Sequence, residues 1–146
     1  MVTKEILNQY NDLVAEISDL ETKIQQIRKE IDKIEREGAV VDTVSGGYGG
    51  TQHFRIEGFP YPEYEKKRML LKIREQQLLS YQIQQMEMVN EIERFLQGVD
   101  DAYMRRIIDY RVVRQLSWNR VADLMGGNST EDSVRIAFSR FMEKNS

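Results

Sequence analysis

Apolar residues recur every seven positions over the first third of the chain: Ile6, Leu13, Leu20, Ile27 and Ile34 form one set, and Tyr10, Ile17, Ile24 and Ile31 a second. With the second set at a and the first at d, the pattern predicts a coiled-coil seam on a helix over residues 3–37. A parallel self-pair would set Glu16 against Glu21, Lys23 against Arg28 and Glu30 against Glu35. All three pairs repel, so the expected partner runs antiparallel and lies in the same chain.

A second helix fits residues 62–97, with Pro62 in its first turn and Gly98 beyond its end. At 1.5 Å per residue the two helices would be roughly 52 and 54 Å long, which suits an antiparallel pairing. Leu71, Leu78, Val89, Ile92 and Leu96 form its inward stripe, interrupted by Gln82 and Gln85. Leu70, Leu79, Ile83, Met86 and Met88 fall outside the stripe and imply either self-association or a dock for the C-terminal part. Residues 38–60 connect the helices and hold six of the nine glycines. Val40–Val44 and Gln52–Ile56 are β-prone runs flanking GGYGG, so a small β-hairpin tip is expected there. The aromatics Tyr48, Phe54, Phe59, Tyr61 and Tyr64 either offer a protein-contact tip or close the connector by local packing.

Near the C-terminus the apolar period shortens into two brief helices. Ser117 can cap the first, in which Val121, Ala122 and Met125 share a face. Gly126 and Gly127 supply the positive φ that ends a helix. Ser129 or Thr130 restarts the chain, and Ser129 with Asp132 has capping-box spacing. In the second helix Val134, Ala137, Phe138 and Phe141 follow i, i+3, i+4, i+7. The pattern is that of a helix-turn-helix, or of an αα-corner in an ordinary helical domain. The expected fold class is therefore mainly α. A long antiparallel helical hairpin (1–97, connector 38–60) with a Gly-rich tip precedes a C-terminal helix-turn-helix domain (98–146).

The segment RIIDYRVVRQLSWNRVADLMGGNSTEDSVRIAFSRF, residues 106–141, resembles region 4 of bacterial sigma factors. Together with DTVSGGYGGTQHFRIEGFPYPEYEKKR upstream, the whole chain resembles phage and prophage late-gene regulators of the RinA and ArpU type. That resemblance implies transcriptional regulation, usually activation of virion-assembly or packaging genes, and contact with RNA polymerase.

Charge qualifies this picture. The formal net charge is −3. From Asp100 to Ser146 there are eight Lys or Arg and seven Asp or Glu, or +1, which leaves −4 for the first 99 residues. Phosphate neutralisation supplies most non-specific DNA affinity, so one protomer should bind weakly alone. Useful binding implies a homo-oligomer, expected to be a dimer, or help from polymerase. The absence of cysteine excludes disulfides and thiolate metal sites, and His53 is the sole histidine, so no metal site is expected. GGYGG lacks the Lys-Ser/Thr and the adjacent helix of a phosphate-binding loop, so no nucleotide or other cofactor is expected. No nucleophile, base and orienting group occur together, so the chain is not expected to be an enzyme. It has no membrane-length apolar run and no cleavable signal, which implies a cytoplasmic protein.

The helical wheel selects Asp132, Ser133, Arg135, Ile136, Ser139 and Arg140 as residues facing double-stranded promoter DNA. Arg135 suits guanine or a phosphate, Ile136 a thymine methyl and Asp132 a cytosine amino group. Asp132 equally suits the helix dipole. Lys144 and Arg120, with Arg105 and Arg106, are candidate phosphate contacts, and Trp118 a scaffold residue. Two other classes share the pattern: a phage small terminase subunit that recognises packaging DNA as a ring, and a coiled-coil adaptor that does not bind DNA.

Overall fold

The structure is a computed structural model that describes the backbone of residues 4–45 and 58–145, and side chains of 4–38 and 58–145. Among the described residues it is helical, with no strands. Helix α1 is Lys4–Ser45, α2 Tyr61–Gln97, α3 Ala102–Ile108, α4 Trp118–Met125 and α5 Glu131–Lys144. A π-helical turn, Asp109–Val113, extends α3. No described helix is long and apolar enough to cross a membrane.

The chain divides into two compact units, residues 17–80 and residues 1–16 with 81–146. In the first, every α1 seam residue from Ile17 to Ile34 is buried to 8 % exposure or less. Residues on both flanks of that seam reach α2. Tyr64 donates to a Glu35 carboxylate oxygen at 2.7 Å, Lys67 to Glu30 at 2.9 Å, and Arg28 lies 3.6 Å from Glu75. As residue numbers fall along α1 they rise along α2. All three of these partners on α1, Arg28, Glu30 and Glu35, are residues whose charges oppose a parallel self-pair. The bond to Lys67 lowers the Glu30 carboxyl below its ordinary range, and the bond to Glu35 raises the Tyr64 phenol.

Helix α1 does not stop at Glu37. It runs on through Val40–Val44 to Ser45, so that expected β run is helical. Valine loses only a few tenths of a kcal/mol of helix propensity, too little to outweigh propagation of a helix already nucleated. Gly38 is accommodated within it because the Phe59 ring sits where its side chain would be: a Cβ there would lie 2.3 Å from the ring. Phe59 also packs on Tyr61 and Tyr64 at centroid distances of 4.4 and 5.4 Å, so these aromatics stack on one another and on α1. The GGYGG segment, Gln52–Ile56, His53 and Tyr48 lie outside the described residues.

The second unit has one core. Leu7 and Tyr10 of α1, Ile92 and Leu96 of α2, Met104, Ile107 and Ile108 of α3, Val112, Val121, and Val134 and Met142 of α5 are all buried in one cluster. Met88, read from sequence as outside the stripe, packs against this cluster because α2 there is flanked by more than one helix. Tyr10 donates from its hydroxyl to the Val113 carbonyl at 3.4 Å.

Replacing Leu20, 6 % exposed, with Asp buries an unpaired carboxylate. Leu20→Asp is expected to destabilise the fold by about 2–4 kcal/mol. Thermal and urea unfolding measure it, and an unchanged midpoint would show that the α1 seam is not a core.

Candidate nucleic-acid interface

The C-terminal helices are punctuated by side-chain chemistry that can be followed residue by residue. Past α3, Arg114 N–H donates to the Asp109 carbonyl at 2.9 Å, the i to i−5 bond of the π-helical turn. Gln115 then takes a left-handed φ of 57°, uncommon for a side-chain-bearing residue. Its amide nitrogen donates to the Val112 carbonyl at 2.6 Å and to Asn11 Oδ1 at 2.8 Å, tying the bend to α1. Ser117 caps α4, its hydroxyl accepting from the Arg120 N–H at 3.2 Å.

Gly126 and Gly127 follow with φ of 71° and 60°. Gly126 N–H bonds back to the Ala122 carbonyl at 3.1 Å, closing α4. The cap of α5 is Thr130 rather than Ser129. Its hydroxyl accepts from Ser133 N–H at 3.1 Å, and the Ser133 hydroxyl lies 2.8 Å from the Thr130 nitrogen as acceptor. The box thus sits one residue beyond the expected Ser129–Asp132 pair: Ser129 N–H is taken into the turn by the Gly126 carbonyl.

Inside the bend, Trp118 meets Phe138 edge-on with centroids 5.3 Å apart, and the Arg111 guanidinium lies 4.6 Å above the indole ring. Val134 and Met142 are fully buried, while Ala137, Phe138 and Phe141 are half-buried. Met142 completes the inward stripe at i+8 from Val134, one step further than the sequence reading carried it.

The opposite side of α5 is exposed. Asp132, Ser133, Arg135, Ile136, Ser139, Arg140 and Lys144 are on it, and Arg120 is exposed on the first turn of α4. Ile136 keeps 42 % of its surface in solvent. The structure does not leave all of these groups free. Ser133 is engaged in the cap, and Arg135 is paired with Asp132 at 3.0 Å. Three acids of α5, Glu131, Asp132 and Glu143, balance its three bases, Arg135, Arg140 and Lys144.

A groove of about 230 Å³ runs beside α5, where Arg135 and Ser139 meet Arg111 and, from α1, Lys4, Asn8 and Asn11. Lys4, Asn8, Asn11 and Arg111 were not singled out from sequence. Only the fold brings residues more than a hundred positions apart to one edge. Other arginines are engaged by the fold. Arg105 donates to the Val99 carbonyl, and Arg106 to the Leu124 carbonyl at 3.1 Å. Arg114 pairs with Asp109 at 3.1 Å. Among the described residues no cluster of three or more acidic, His or Cys side chains could hold a metal ion. Comparisons with models of protein families, with curated proteins and with solved structures give no match.

The glycine turn is the most sensitive joint. A Cβ on Gly127 meets no atom within 4 Å, so Gly127→Ala carries only the left-handed backbone penalty. The expected loss is about 1–2 kcal/mol, with Asn better tolerated than Ala at this position. Thr130→Ala should cost about 1 kcal/mol for the lost cap. Denaturant titration of the three variants checks the order, and an unaffected Gly127→Ala would contradict the turn geometry.

Proposed function

We propose that this protein is a DNA-binding transcriptional regulator of the phage late-gene type, reading double-stranded promoter DNA through α5 and acting with host RNA polymerase. In this reading α4, the Gly126–Gly127 turn and α5 are a helix-turn-helix, and α1 with α2 is an antiparallel hairpin that presents it. The observation that carries the proposal is the pairing of α4 with α5. Trp118 and Phe138 fix the two helices, Val134 and Met142 anchor one side of α5, and Asp132, Ile136, Ser139 and Arg140 stay in solvent. An exposed helix face held rigidly from behind is what insertion into a major groove requires.

The roles follow from chemistry. Arg140 and Arg135 carry guanidinium forks for guanine or phosphate, and Ile136 an apolar surface for a thymine methyl. Arg135 has its orientation set by Asp132, which holds the fork while lowering its net attraction for phosphate. Lys144, Arg120 and the groove residue Lys4 add positive charge without base information. The even charge of α5 makes affinity modest, and polymerase contact or a second copy supplies the remainder. An enzymatic role has no part in this reading, and the setting it implies is the bacterial cytoplasm.

The charge balance of α5 also favours a second reading, a protein-binding adaptor that uses the same exposed face without touching DNA. Selection from a randomised duplex library, followed by footprinting with and without RNA polymerase, separates the two. Under the DNA reading, Arg135→Ala costs about 1–3 kcal/mol of binding and relaxes preference at one base pair. Lys144→Ala weakens all sequences equally, within a salt slope on the order of −3 to −5 per protomer. No enriched sequence and no footprint under either condition would leave the adaptor reading.

A further inference from the structure

Helix α2 carries an apolar face that α1 does not use. Met69, Ile73, Leu79, Ile83 and Met86 are each about half or more exposed, from 49 % at Ile83 to 66 % at Met86. They do not scatter around the helix. Met69, Gln76 and Ile83 repeat at seven, and so do Leu79 and Met86, three positions on from Gln76 and Ile83. That is a second a/d seam, on the side away from the half-buried residues Tyr64, Leu71, Leu78 and Gln85 and the buried Ile92. Scattered exposed leucines need no explanation, but a contiguous exposed stripe at heptad spacing marks an association surface.

The charges of α2 say what covers it. The 11 positions from Gln76 to Met86, QQLLSYQIQQM, hold no charged residue. Before them, residues 61–75 contain five bases and three acids, or +2. After them, residues 87–97 contain one base and three acids, or −2. The helix is therefore a neutral apolar centre with arms of opposite sign. A parallel pair of such helices would stack Lys72 on Lys72 and Glu93 on Glu93 at seam positions. An antiparallel pair with its two-fold axis near residue 81 sets Leu79 against Ile83. It also brings residues 61–75, net +2, against residues 87–97, net −2, although Arg68 then faces Arg94 and Glu75 faces Glu87. Opposite charges fix register and direction more than they add affinity, and a two-fold axis makes the surface self-complementary.

We propose that the outer face of α2 binds a second copy of this chain, α2 on α2 and antiparallel, centred on Leu79 and Ile83. The pairing stands whether or not the protein binds DNA, since it rests on no residue of α5.

The chain has no cysteine, so single labels can be placed on the full-length protein. Spin labels at Lys66→Cys and Ser80→Cys measure distances between copies. At 1.5 Å per residue an antiparallel pair centred at residue 81 puts the two residue-66 labels about 45 Å apart along the axis, and the residue-80 labels within about 3 Å along it. A parallel pair puts both sets close together, which would overturn the proposal. Sedimentation equilibrium at micromolar concentration should give twice 17.2 kDa for the wild type and 17.2 kDa for the Leu79→Glu, Ile83→Glu double variant, with helical circular dichroism retained. A monomeric wild type, or a double variant that stays dimeric, would also overturn it. Lys72→Glu, a solvent-exposed single change, should weaken the dimer at least several-fold, and unchanged association would remove the charge argument.

Discussion

The C-terminal helices depend on apolar burial against the long ones. Helix α3 has 7 residues and α4 has 8, below the length at which an isolated helix persists in water. They become stable by sharing a core with the first turns of α1 and the last turns of α2. Ile92, Ile107, Val121 and Val134 come from four different helices, and none is more than marginally exposed. Any activity of α5 thus inherits its rigidity from residues near the start of the chain, and Leu7 and Tyr10 belong to the support of that surface.

The same constraint decides what the arginines do. Helix ends and the bends between helices leave carbonyls without intrahelical partners, and these need donors. Arg105, Arg106 and Arg111 supply them at Val99, Leu124 and Leu116. Arg111 also stacks on Trp118, and Arg114 is neutralised by Asp109. Residues 105–114, with four arginines and one aspartate, are therefore partly committed to closing the fold. The bases not committed in this way are fewer than a residue count implies, and on α5 they are matched by an equal number of acids.

How much of this was legible depends on the range of the interaction. The α1 seam, the Ser117 cap and the Gly126–Gly127 turn are set by neighbours within a few residues, and their patterns stand in the sequence. The inward positions of α5 were legible for the same reason, apart from Met142. Local pattern left Ser129 and Thr130 both open as the start of α5 and set the capping box one residue early. Ser129 and Thr130 are chemically equivalent caps, and the difference lies in which amide the glycine turn claims. The end of α1 was also misread, because valines read as β-prone and Gly38 as a break. The ring of Phe59, 21 positions on, lies over Gly38. The groove that joins Lys4 and Asn8 to Arg135 had no local signal at all, since the contact order that creates it spans nearly the whole chain.

The two proposals meet in one length. In an antiparallel α2 pair centred at residue 81, Ile92 lies 11 residues from the axis in each copy. The two Ile92 positions are then separated by about 33 Å along the helix direction. Ile92 sits at the centre of the core that holds α5, so two copies of that core are spaced by about one turn of B-form DNA, the separation at which dimeric helix-turn-helix proteins meet successive major grooves. This spacing follows from the position of an uncharged segment in α2, and the offset of α5 from Ile92 in each copy adds to it. It also bears on the electrostatic weakness of a single protomer. Two sites with modest charge, held at a fixed separation, bind a duplex with a raised effective concentration for the second contact. If both proposals hold, the neutral centre of α2 and the even charge of α5 belong to one arrangement, in which geometry rather than net charge would supply the affinity.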